Sequence, residues 1–335
     1  MLSRVASALY WMSRYIERAE NTARIVDVNL QLLLDFRSLD NQRLAGYWAP
    51  IVKSTGDDAL FWQLCREAND QTVTDFLTFN TDNPNSIISS IAQARENARV
   101  VRDQITVEMW EEINRLHLFL RSPRARDVWK RSSYEFFHEV KLSSLYLQGL
   151  MEATVPHTEG WNFMQIGKYL ERADKTTRIL DVRHQNLPAK GVPKLVTPTD
   201  AVEWGAVLRS CSAADAYRQF HAEVEPRRVA EFLLLSEDFP RSVRFSLTAF
   251  DTALRRISGV PQRRFSNAAE KLSGRLLAEI QFSAIDDIFA EGFHDYLDLL
   301  QQKFNAIGDA VFAAYIFEPF AAPGGDLQQQ QQQQQ

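Results

Sequence analysis

The chain has 335 residues, 45% of them hydrophobic and 24% charged, with 38 basic and 43 acidic side chains giving a net charge of −5. This composition excludes wholesale disorder, and the acidic balance offers no basic stripe for phosphates, so nucleic acid is not expected as a main partner. Cys65 and Cys211 are too few for a disulfide framework, and no apolar run reaches the ~18 residues of a membrane span. Arg4, Arg14, Glu17 and Glu20 interrupt the N-terminal segment, which therefore does not read as a signal peptide. Only 13 Gly and 12 Pro punctuate this length, which favours long helices. The expectation is a cytoplasmic, all-α protein away from membranes.

In chain order, residues 2–37 read as one helix, with Ile16, Ala19, Ala23, Val26 and Leu30 at helical spacing. Further helices are predicted at about 57–79, 85–104, 107–121, 124–152, 161–186, 198–219, 226–235, 240–258, 266–280 and 284–317. Three starts carry a cap residue followed by proline: Asn83-Pro84, Ser122-Pro123 and Thr197-Pro198. The stretch 187–198, with Pro188, Gly191, Pro193 and Pro198, reads as a linker, and 321–335 as a disordered Gln-rich tail.

The sequence repeats itself. Tyr15-Ile-Glu-Arg-Ala-Glu-Asn-Thr-Ala-Arg-Ile-Val-Asp-Val28 returns as Tyr169-Leu-Glu-Arg-Ala-Asp-Lys-Thr-Thr-Arg-Ile-Leu-Asp-Val182, nine of fourteen positions being identical at an offset of 154. At an offset of 156, Val73-Thr-Asp-Phe-Leu aligns with Val229-Ala-Glu-Phe-Leu, and Glu135-Phe-Phe-His-Glu with Glu291-Gly-Phe-His-Asp. Three ordered matches at nearly one offset imply two copies, 1–155 and 156–320. The expected architecture is an internally duplicated helical bundle, two pseudo-symmetric halves sharing one core.

On a helix, Glu17, Glu20, Arg24 and Asp27 fall within about 80° of one another, away from the apolar face, and Glu171, Asp174, Arg178 and Asp181 repeat this. Two readings stand. One is a solvated stripe of i,i+4 pairs, each worth a few tenths of a kcal/mol. In the other, the two stripes face each other as an acidic groove for a cation, an amine or a basic partner. The first is favoured residue by residue, while the recurrence of the whole pattern weighs for the second. Arg18 and Arg172 lie on another side; Arg18 shares its side with Trp11 and Tyr15, where a half-buried guanidinium needs a carboxylate. That carboxylate comes either from a neighbouring helix or from a ligand.

Glu135-x-x-His138 and Glu291-x-x-His294 place Glu and His on one helix face, and Glu17 and Glu171 could complete a di-metal carboxylate set. No cofactor is evident from the residues, and a divalent metal is the one that such a set would hold. No phosphate-binding glycine loop or serine elbow occurs, Cys65 and Cys211 read as inert thiols, and Arg255-Arg256 with Arg263-Arg264 read as an exposed helix end.

Met1-Leu-Ser-Arg, Tyr10-Trp11 and Tyr15-Ile-Glu-Arg-Ala-Glu-Asn-Thr-Ala-Arg24 resemble the opening of the bacterial alpha-E domain family. Asp82-Asn-Pro-Asn-Ser-Ile87, Glu108-Met-Trp-Glu-Glu-Ile-Asn114, Glu159-Gly-Trp161 and Phe239-Pro-Arg-Ser-Val-Arg-Phe245 extend the likeness through nearly all of residues 1–317. The Glu135-x-x-His138 pair and the Gln tail lie outside the family pattern. The family is named for a helical fold and a Glu-Arg motif, here Glu17-Arg18. The resemblance implies association with a circularly permuted ATP-grasp protein, which joins a carboxylate to an amine through an acyl phosphate, and with transglutaminase-like proteins. The expected function is therefore that of a helical accessory or scaffold in a bacterial peptide synthesis or modification system. In that role Glu17, Arg18, Glu20, Arg24, Glu171, Arg172, Asp174 and Arg178 would shape an interface or hold a substrate. The alternatives are an enzyme with a di-metal or transferase site, and a module whose repeated charges serve folding alone.

Overall fold

The computed structural model describes residues 1–36, 47–183, 198–262 and 264–316, and among these it contains helices and no strand. Of the linker expected at 187–198, residues 187–197 (Thr197 of the Thr197-Pro198 start among them) lie outside the described residues, as do Arg263 and the Gln-rich tail. The first half of the chain forms α1 (Ser3–Phe36), α2 (Ala49–Thr55), α3 (Asp58–Leu64), α4 (Asp70–Thr78), α5 (Ile87–Val100), α6 (Val107–Arg121), α7 (Pro123–Arg131) and α8 (Ser133–Thr154). There follow α9 (Glu159–Asp181), α10 (Pro198–Ser210), α11 (Ala214–Arg218), α12 (Pro226–Leu235), α13 (Val243–Ser258), α14 (Ala268–Gln281), α15 (Ile285–Glu291) and α16 (Phe293–Val311), closed by a π-helical turn, Phe312–Ile316. No helix among the described residues is long and apolar enough to cross a membrane.

Several expected helices divide where local chemistry offers a better cap. The span 57–79 breaks because the Asn69 side chain accepts from the Thr72 amide (2.8 Å) while Thr72 accepts from the Asn69 amide (3.0 Å), a reciprocal box that opens α4. The span 124–152 breaks at Ser132, whose hydroxyl accepts from the Glu135 amide to cap α8. Gly292 at φ 119° separates α15 from α16, and Ser212 at φ 51° turns the chain after α10. Ser122-Pro123 opens α7 as expected. Asn83-Pro84 does not open a helix: Asn83 accepts from the Asn85 amide and donates to the Phe76 carbonyl, and Ser86 caps α5 instead.

α1 is packed on all sides, against α9, α5, α8, α10, α4 and the π turn. Its apolar face behaves as expected: Ile16, Ala19, Ala23 and Val26 are buried in one contiguous core that also takes residues from α9 and α13. The α1–α9 crossing is close. A Cβ on Gly167 would stand 2.3 Å from the Tyr10 carbonyl oxygen, so only glycine fits there.

Candidate functional site

Glu17-Arg18 on α1 and Glu171-Arg172 on α9 exchange partners. Arg18 donates to Glu171 through Nε (2.7 Å) and Nη2 (3.1 Å). Arg172 donates to Glu17 through Nε (2.8 Å) and Nη2 (2.8 Å). Neighbouring residues on a helix diverge by about 100°, so an adjacent Glu and Arg straddle the line along which a partner helix crosses. Two helices carrying the same dipeptide can then satisfy both forks at one crossing.

Further side chains complete each half. Around Glu17 and Glu20 lie Arg241, which donates to both carboxylates (3.1 Å to Glu17), and Arg24, 2.8 Å from Glu20. Ser144 and Gln148 of α8 add hydrogen bonds to Glu20 at 2.7 and 2.8 Å. Around Glu171, Arg14 donates at 2.8 Å and also reaches the Tyr10 hydroxyl, while Arg18 donates onward to Asn85 (2.6 Å), which donates to Asp57. Asp174 takes Arg178 at 2.8 Å, and Asp27 takes Lys141 at 2.6 Å.

The solvated stripe is therefore corrected. Glu17, Glu20, Glu171 and Asp174 are 1, 0, 0 and 6% exposed, because α1 and α9 are enclosed by helices on their polar sides as well. The two acidic faces do converge, but arginines fill the space between them, so they do not form an open acidic groove. The expectation of a carboxylate from a neighbouring helix for Arg18 and Arg172 holds.

Electrostatics follow from this geometry. Burial alone would raise the Glu17 carboxyl, yet Arg172 and Arg241 bring it down to about 2. Burial likewise opposes Glu171, but Arg18 and Arg14 hold it well below the usual carboxylate range. Lys168, buried beside Glu17 and 4.4 Å from the Tyr169 ring, is pushed down to about 8 by burial and by Arg172. Burial pushes the Cys211 thiol up to about 12 and also raises Cys65, as inert thiols require.

The di-metal ligand set does not assemble. Glu17 and Glu171 are engaged by arginines; Glu135 is exposed and paired with Arg131 at 2.9 Å; His138 is exposed and stacks on Tyr134; and Glu291 is exposed. Glu135 and His138 sit at the start of α8, whereas Glu291 ends α15 and His294 opens α16, so the break at Gly292 takes the second pair off a common helix face. Among the described residues, the cluster whose ligand atoms lie within 4.8 Å of one another is Asp181, His294 and Asp298, with His294 Nδ1 2.6 Å from Asp181. Arg255 also departs from expectation: it turns inward to Asp251 (2.6 Å) and to the carbonyls of Pro261 and Arg264, pinning the loop beyond α13.

Arg241, Gln148, Arg14, Asn85 and Gly167 belong to this centre without a spacing signal that marks them, although Asn85 and Arg241 lie in the stretches Asp82–Ile87 and Phe239–Phe245 that carry the resemblance. Only the offset hints at one: Asn85 and Arg241 stand 156 apart, each just ahead of a serine-capped helix.

An all-helical domain locked by exchanged Glu-Arg pairs is the class of protein that this geometry defines. The chain belongs to the Alpha-E family, described as a predicted alpha-helical domain with a conserved ER motif, whose model matches residues 1–316. It is 24% identical over 345 residues to an uncharacterized protein of Mycobacterium bovis and to one of Mycobacterium tuberculosis, covering 96% of this chain and 37% of each relative. The chain thus spans little more than a third of the length of these curated relatives. No solved structure matches it significantly.

Proposed function

We propose that this chain is a helical accessory partner of a circularly permuted ATP-grasp ligase in a bacterial, cytoplasmic system that forms amide bonds in peptides. The observation that carries this reading is the closure of the Glu-Arg motif upon itself. All four motif charges are consumed in holding α1 to α9, which is what a motif devoted to architecture does and a catalytic one does not. The greater length of the mycobacterial relatives is in keeping with a module that works alongside other domains. Transglutaminase-like proteins are further partners on this reading.

The same reading takes the chain as two copies of one unit, 1–155 and 156–320. The order of elements supports it: α5 and α13 begin 156 residues apart behind Ser86 and Ser242, and α4 precedes the one as α12 precedes the other. The docking face assigned to the ligase is the outer side of α8, where Tyr134, Leu142, Leu145 and Tyr146 are exposed at helical spacing. The test is co-purification of the tagged chain with the ATP-grasp protein of the same organism. Co-elution is expected, with loss in a Leu142→Asp, Tyr146→Asp variant whose melting is unchanged. A chain that never co-elutes and leaves ligase turnover unaltered defeats the proposal.

A further inference from the structure

Away from the Glu-Arg crossing, the end of α8, the first half of α9 and α13 border an open cleft of about 330 Å³. One wall is a single face of α9, since Trp161, Gln165 and Tyr169 follow one another at four-residue spacing. The opposite wall is α13, where Ala249 and Ala253 leave the floor low and Phe245 contributes an aromatic edge 6.1 Å from the Tyr169 ring. Thr248 and Thr252 donate their hydroxyls to carbonyls one turn back, at 2.8 Å each, so neither needs a partner in the cleft.

Two donors in this lining are unspent. Trp161 Nε1 and Gln165 Nε2 are buried and have no acceptor among the described residues, and the residues that carry them are only 9 and 2% exposed. Buried donors are normally paired, and neither of these is reached by water from the cleft, so an acceptor there engages them when the side chains turn toward it. At the mouth, Arg256 is exposed and makes no ion pair among the described residues. Of the two acids on the rim, Glu237 is neutralised by Arg244 and Glu152 is exposed. The Lys168 ammonium lies behind Tyr169.

We propose that this cleft binds a small carboxylate bearing a flat apolar group, of which an N-acylated aromatic amino acid is the simplest example. The ring would lie against the aromatic lining over Ala249 and Ala253. Arg256 would counter the carboxylate, and the ligand's acceptor oxygens would draw the Gln165 and Trp161 N–H groups toward the cleft. This site is independent of the ligase reading and requires no partner protein.

The test is titration of the full chain with N-acetyl-L-phenylalanine, followed by calorimetry and indole fluorescence, with N-acetyl-L-phenylalaninamide and N-acetylglycine as controls. Saturable binding below about 1 mM is expected, weakened at least about fivefold by loss of the carboxylate, by loss of the ring, or by Arg256→Ala. Ala249→Trp, which fills the floor, should abolish it. Arg256 is exposed and its removal does not threaten folding, so that variant decides the matter should Ala249→Trp fail to fold. Absence of saturation at about 20 mM overturns the proposal, as does binding that both variants leave unchanged. Equal affinity for the amide overturns the carboxylate assignment.

Discussion

Removing one member of a buried, hydrogen-bonded ion pair costs far more than the pair is worth, because the other charge is left in low dielectric: about 3–5 kcal/mol. Glu17 answers both Arg172 and Arg241. Glu17→Gln is therefore expected to destabilise the fold at neutral pH by about 3–5 kcal/mol, read as a lower urea midpoint with an unchanged slope. The pH dependence has a definite sign. The folded carboxyl sits at about 2, below its ordinary 4.5. Its contribution is thus complete above 4.5 and is lost as pH falls toward 2. Urea titrations at pH 7 and pH 3 should show a smaller stability difference for Glu17→Gln than for the wild type, and an identical difference would mean that Glu17 is not a folded-state anion. At this scale the sequence was half legible. An arginine beside Trp11 and Tyr15 announced a need for a carboxylate, because a half-buried guanidinium must be paired. The acids misled, because one helix's polar face looks the same whether water or a distant arginine covers it. Arg241 was legible only as part of the Phe239–Phe245 likeness, because a turn residue has no periodicity to place it.

Among the elements, α1 and α9 are set by backbone contact as much as by charge. Gly167 costs its helix about 1 kcal/mol in propensity relative to alanine. Yet an alanine Cβ would meet the Tyr10 carbonyl at 2.3 Å, a backbone atom that cannot rotate away. Gly167→Ala should therefore destabilise by about 2 kcal/mol or more despite the better propensity, by forcing the helices apart. Gly149, on the exposed side of α8 with nothing within 4 Å of an added Cβ, supplies the control. Gly149→Ala should stabilise by up to about 1 kcal/mol. Thermal unfolding of both variants checks this, and a stabilised Gly167→Ala would contradict the tight crossing. Helix existence was legible from periodicity, and breaks such as Ser132 and Asn69 follow from capping that a continuous apolar pattern hides. The close approach at Gly167 was not legible, since a mid-helix glycine states its reason only when the neighbouring helix is in place.

For the whole molecule, the question is whether residues 1–155 and 156–320, the two copies proposed above, are separable bodies. α1 lies in residues 1–155 and α9 in 156–320, and these two helices share the Glu-Arg exchange and one contiguous apolar core. Cleaving the chain between Val155 and Pro156, in the turn joining α8 to α9, divides that core through its middle. A fragment of residues 1–155 would keep Glu17 and Glu20 but lose Arg172 and Arg241, and would bare Leu9 and Tyr10 where Gly160 and Gly167 approach them. The apolar side chains so exposed forfeit roughly 1.5–3 kcal/mol each, a substantial share of the 5–15 kcal/mol by which a domain is normally stable. The fragment 1–155 is expected to show no cooperative melting by circular dichroism, and to regain it on mixing with 156–335. Adding Arg172→Ala to the second fragment should weaken that reassembly by at least about tenfold, because the reassembled interface then contains an unanswered buried carboxylate. A fragment 1–155 that melts cooperatively alone would show two domains that merely touch, and would move the Glu-Arg exchange from the centre of one fold to a contact between two.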